Sequence, residues 1–141
     1  MNVQAGYRFA QRLSTQNLGV KKYLLNVSTI AIHNMDLASN NLNYGESKNA
    51  AVLLLQLMAR TVPGDEIQIV SFHPEAILTE TVQAYGGCPG HFAVWAASEE
   101  AKFLHGRFVH ATWDITELQS GASKALIDED PDFLKIEVKG C

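Results

Sequence analysis

Cysteine is scarce, with Cys88 and Cys141 the only two in 141 residues. That excludes a dense disulfide framework and makes a reducing compartment the default expectation. Basic clusters are missing as well. Eleven Lys and Arg stand against fifteen Asp and Glu, for a net charge of -4, and nowhere do the cations gather into a patch that could track a phosphate backbone, so no nucleic-acid partner is expected. No apolar run approaches the roughly 18 residues a membrane helix needs, and no basic-then-apolar leader opens the sequence. A cytoplasmic protein with no membrane association is the resulting expectation. The five histidines, His33, His73, His91, His105 and His110, include no H-x-x-x-H pair and no cysteine pair accompanies them, so no metal site is expected. There is no G-x-S-x-G elbow, which argues against a serine hydrolase. Internal repeats, low-complexity blocks and linkers are also lacking.

What is present is an apolar content of 47%, enough for one domain with a core over residues 1–141. Residues 2–15 carry apolar or aromatic side chains at Val3, Tyr7, Ala10 and Leu13 and read as an amphipathic helix. Residues 22–28 read as a buried strand, whose near-continuous apolar character suits a parallel sheet covered on both faces. A polar, Asn-rich loop is expected over 30–43 and a helix over 44–60, apolar almost all round and so buried on more than one side. Pro63-Gly64 should end that helix, with a second strand over 66–72 stopped by His73-Pro74. Beyond it, 80–89 reads as a mobile loop, 90–98 as a helix, 107–110 as a short strand and 113–118 as a surface turn. Residues 127–135, rich in Asp and Glu, read as exposed.

The chemistry concentrates where the first strand ends in Ser28-Thr29 and the long helix opens with Tyr44 and Lys48, four apart. A free phenol has a pKa of about 10 and is a sluggish acid or base at neutral pH. An ammonium one helical turn away on the same face favours the phenolate. A hydroxyl from the strand end can bind the same substrate oxygen. Together these make a general acid/base suited to a carbonyl that gains or loses a proton.

Asn26-Val27-Ser28-Thr29, Tyr44-x-x-x-Lys48 and Ser71-Phe72-His73-Pro74-Glu75-Ala76-Ile77-Leu78-Thr79 resemble, in order, the second half of a short-chain dehydrogenase/reductase. Gly90-His91-Phe92-Ala93-Val94-Trp95 and Gly106-Arg107-Phe108-Val109 with Trp113-Asp114 look most like fungal members, many of them associated with secondary metabolism. The resemblance implies an α/β fold with a doubly wound parallel Rossmann sheet and hydride transfer between NAD or NADP and an alcohol or ketone. It implies Tyr44 as proton donor or acceptor, Lys48 as the group that lowers its pKa, and Thr29 at the place of the catalytic serine. Ser28 is the neighbouring alternative, and both could instead be capping hydroxyls. Asn2, in a segment like the family's Asn-x-x-x-Gly helix start, would complete a tetrad. Tyr44, Lys48, Ile77 and Thr79 would contact the cofactor. The family usually has Gly where Glu75 stands, and a side chain there intrudes on the nicotinamide.

A complete member runs to roughly 250 residues, the upper range for one α/β domain. About the first half has no counterpart here, and no G-x-x-x-G-x-G or G-x-G-x-x-G follows a strand to cradle phosphates. The chain is expected to be a truncated catalytic half. The alternatives are a catalytically silent relative that serves as a subunit-binding module and an incomplete gene product. The helices over 2–15 and 44–60 commonly form the family's oligomer interface, so a homo- or hetero-oligomer is expected through them.

Overall fold

A computed structural model describes residues 2–16, 19–75 and 89–137 of the chain. Three strands, β1 (Lys22–Val27), β2 (Ile67–His73) and β3 (Phe108–His110), form one parallel sheet in the order β1-β2-β3. Lys22 lies opposite Ile67 and Val27 opposite Phe72, while His73 pairs with His110. The helices are α1 (Asn2–Thr15), α2 (Met35–Ser39), α3 (Leu42–Ala59), α4 (Pro89–Ala96), α5 (Ile115–Ser120) and α6 (Ala122–Glu129). Short 3-10 turns occupy Ile30–Ile32 and Glu99–Leu104.

The central strand sets the layers. Successive side chains of a strand point to opposite faces. Ile67 and Ile69 accordingly pack with Ala10, Leu24 and Leu55 beneath α1 and α3. Val70 and Phe72 pack on the other side with Phe92, Ala96, Leu104, Leu118 and Ile127. Helices therefore cover both faces of a parallel sheet, the expected α/β architecture, in the form of a partial Rossmann-like fold. Burying a polar side chain in such a strand requires partners. Gln68, fully buried, donates from Nε2 to the carbonyls of Ala96 and Ser98, each at 2.9 Å. Those carbonyls flank the C-terminus of α4, so one amide ties the middle of the sheet to a helix end.

Three expectations need correction. Residues 30–43 are not a plain polar loop: Ala31 and Ile32 are buried, and the asparagines act as helix caps. Asn34 Oδ1 accepts from the Leu37 amide at 3.3 Å and Asn41 Oδ1 from the Tyr44 amide at 3.3 Å, so α3 begins two residues earlier than its apolar pattern indicates. Residues 113–118 contain the start of a helix rather than a surface turn, capped by Asp114 and anchored by buried Leu118. The acidic stretch 127–135 is partly internal. Ile127 closes α6 against the core, and Phe133 and Leu134 pack beside it. The loop expected over 80–89 lies outside the described residues, apart from Pro89 at the start of α4.

Candidate active site

In open parallel sheets, ligands bind outside the carboxyl ends of the strands, and the polar residues picked out by sequence gather there. At the end of β1, Ser28 and Thr29 are both buried. The Ser28 amide donates to the Phe72 carbonyl at 2.8 Å, while its Oγ has no partner among the described residues. Thr29 Oγ1 accepts from the Ala31 amide at 3.3 Å, capping the turn that follows. The capping alternative is thus realised for Thr29. Its hydroxyl proton is still available, because accepting a hydrogen bond leaves the O–H free to donate.

The first two turns of α3 bring Tyr44 and Lys48 to this strand end. Lys48 Nζ donates to the Val27 carbonyl at 2.9 Å and stands 5.9 Å from the centre of the Tyr44 ring. The phenol is half exposed, open to a ligand from solvent. Gly45 fits here because α2 crosses close by; a Cβ at this position would come within 3.1 Å of the Ala38 methyl. Behind the lysine, Ala5, Gly6, Asn26 and Lys48 line a recess of about 180 Å³ between α1, β1 and α3. Asn2 begins α1, but its side chain lies outside what the structure describes. Ile77 and Thr79 fall in residues 76–88, also outside the described residues.

The ends of β2 and β3 carry a second group of polar side chains. Glu75 adopts a left-handed backbone, φ 63°, and its carboxylate meets His110 Nδ1 at 2.8 Å, His73 Nε2 at 3.6 Å and the Thr112 hydroxyl at 3.3 Å. The hydrogen bond from His110 holds the Glu75 carboxyl below the usual carboxylate range. Burial pushes the His73 imidazole below its ordinary value, against the opposing pull of Glu75, and burial likewise lowers His33. His110 stacks on Trp113 with ring centres 4.9 Å apart. Helical H-x-x-x-H spacing does not mark this group, since its members come from the ends of β2 and β3 and the backbone just beyond β2, with Glu75 and His110 35 residues apart in sequence. The only sequence signal was Glu75 standing where glycine is usual.

The parallel α/β architecture, with a Tyr, a Lys and strand-end hydroxyls at the carboxyl edge of the sheet, defines the class as a partial Rossmann-like fold. Curated relatives specify the family. The chain is 39% identical over 119 residues to a short chain dehydrogenase/reductase of Claviceps purpurea, covering 76% of this chain and 40% of that protein. It is 35% identical over 132 residues to the short chain dehydrogenase/reductase nsrO of Aspergillus novofumigatus, covering 82% and 43% respectively. With AacuD of Aspergillus aculeatus, another short chain dehydrogenase/reductase, it shares 32% identity over 147 residues, 96% of this chain and 50% of the relative. The chain belongs to the short-chain dehydrogenase/reductase family and spans about half the length of the curated relatives it matches. No family model and no solved structure matches it. Among the described residues, no helix is long and apolar enough to cross a membrane.

Proposed function

We propose that these residues form the proton-transfer half of a NAD(P)-dependent short-chain dehydrogenase/reductase acting on an alcohol or ketone. The observation that carries this reading is the fixed position of Lys48. Its ammonium is tied to the end of β1 at 2.9 Å from the Val27 carbonyl and lies over the Tyr44 ring, 5.9 Å from its centre. In this reading, Tyr44 gives its proton to a carbonyl oxygen in reduction and takes one from an alcohol in oxidation. Thr29, or Ser28 beside it, holds that oxygen through its free hydroxyl proton. Asn2 keeps the tetrad role that the family resemblance gives it.

The cofactor, when bound, supplies the hydride. The described residues fit its reactive end, where Tyr44 and Lys48 can meet it. They do not fit its phosphates, for which the sequence has no glycine-rich turn. Ile77 and Thr79 keep the cofactor-contact role that the family resemblance gives them. Phosphate recognition, and with it the choice between NAD and NADP, falls to groups outside this half. A role in fungal secondary metabolism is supported only by likeness to fungal relatives.

The test is to add NADPH and NADH to the purified chain, following nicotinamide fluorescence for binding and its oxidation by a panel of ketones for turnover. The expected result is weak binding of at least one dinucleotide, with turnover that Tyr44→Phe abolishes while the circular dichroism spectrum stays unchanged. Absence of binding at millimolar dinucleotide would overturn the catalytic reading for this chain.

A second reading has its own observation. On α3, Leu53 and Leu57 are one turn apart and exposed, and Tyr7 and Phe9 of α1 are exposed as well. Apolar side chains left uncovered on the two helices that pack together favour an oligomer formed through them, with or without catalysis.

A further inference from the structure

We propose that His73, Glu75 and His110 form a binding site for a divalent first-row transition ion of the zinc type. This goes beyond the reductase reading and does not depend on it. One ligand atom from each of the three residues lies within 4.8 Å of the others. A tetrahedral ion with nitrogen and oxygen ligands at about 2.0–2.1 Å holds them roughly 3.3 Å apart. The contacts to the two carboxylate oxygens are near that figure, 2.8 Å from His110 Nδ1 to Glu75 Oε1 and 3.6 Å from His73 Nε2 to Glu75 Oε2. The third, between the two imidazoles, is within 4.8 Å.

A metal needs a neutral imidazole and an ionised carboxylate, so the ion would replace the direct contact between His110 Nδ1 and Glu75. His73 Nδ1 is buried with no hydrogen-bond partner among the described residues, so the ring can turn without breaking another bond. Glu75 is exposed enough for an ion to enter from solvent. Two imidazoles and one carboxylate select zinc-like ions over magnesium, which prefers an octahedron of oxygens. The ion would join the ends of β2 and β3 and keep its fourth position for water or an added ligand.

The stack of His110 on Trp113 supplies the readout. In a Trp95→Phe background, Trp113 is the one remaining tryptophan, and zinc chloride added to the 141-residue chain should change its fluorescence, saturating at one equivalent. Magnesium chloride should have no effect. Glu75→Gln and His110→Ala should each weaken zinc binding at least tenfold by isothermal titration calorimetry. The same change at His91, an exposed residue of α4, should leave it intact. If His110→Ala proves unfolded by circular dichroism, Glu75→Gln, which keeps size and shape, decides the matter. Failure to bind zinc at millimolar concentration, equal response to magnesium, or zinc binding that survives Glu75→Gln would overturn the proposal.

Discussion

Gly106 shows how tightly single positions are held. Its φ is 77°, its amide donates to the Ile69 carbonyl at 2.7 Å, and a Cβ would come within 2.9 Å of the Ala59 methyl. Left-handed backbone costs a residue with a Cβ about 1–2 kcal/mol, and overpacking adds on the order of 1–3 kcal/mol. Gly106→Ala should therefore lower unfolding free energy by roughly 2–5 kcal/mol in urea titration. Glu75 is the opposite case, a side chain where glycine would be relaxed. Glu75→Gly relieves strain of about 1 kcal/mol and gives up a charge-assisted hydrogen bond of similar size once solvent screening is counted, leaving stability nearly unchanged. Tyr44 and Lys48 were legible in the sequence because helical spacing alone places them on one face. The capping role of Thr29 was open as an alternative. The convergence of His73 and His110 was not legible, because it depends on the register between β2 and β3.

At the level of elements, α3 does more than present Tyr44 and Lys48. Gln56, buried on its inner face, donates from Nε2 to the Ile136 carbonyl at 3.0 Å and accepts from the Ile136 amide at 2.8 Å. Its side-chain amide thus pairs with the C-terminal segment as a strand neighbour would. Leucine at this position would leave a backbone donor and acceptor unsatisfied, each costing about 1–3 kcal/mol if it stays buried. Gln56→Leu should either destabilise the fold by that order or free the segment near Ile136. Amide hydrogen exchange at Ile136 distinguishes the two. The strands β1 and β2 are readable because largely apolar runs, broken by Asn26 in one and by Gln68 and Ser71 in the other, suit a parallel sheet covered on both faces. Helices α5 and α6 are not legible in the sequence. Each is too short to form by propensity alone, and they rest on one buried anchor apiece, Leu118 and Ile127, with a side-chain cap from Asp114 on α5. The asparagines before α2 and α3 mark polar composition in sequence and become caps only when the adjoining amides turn toward them.

For the whole molecule, helices cover both faces of the sheet, and apolar side chains stay open on α1 and α3 (Tyr7, Phe9, Leu53, Leu57) as well as on α4 and α6 (Val94, Leu126). Association through these helices should appear as a mass above that of the monomer in sedimentation, shifted to monomer by Leu53→Glu with Leu57→Glu. Charge contributes at the rim. Lys102 pairs with Asp65, and Lys21 with Glu99, which Tyr23 also binds. The ammonium partners, by hydrogen bonding first and charge second, hold Asp65 below its usual 3.8 and Glu99 below its usual 4.5. A depressed folded value means the unfolded chain binds more protons as pH falls. The stabilisation is therefore present above the ordinary carboxylate range and lost as pH drops through the lowered values. Both carboxylates are exposed, so the effect is small and salt-sensitive. Asp65→Asn should slightly lower Tm at about pH 6 in low salt, with the difference gone by about pH 2 or in roughly 1 M salt.

The bond from Lys48 to the Val27 carbonyl bears on how a ligand would meet this protein. A lysine side chain freed in solvent samples many rotamers, and ordering it costs roughly 1.5–2 kcal/mol. Here that freedom is already given up in the resting chain. An arriving molecule finds the cation in position, and the entropy penalty of arranging it belongs to folding rather than to recognition.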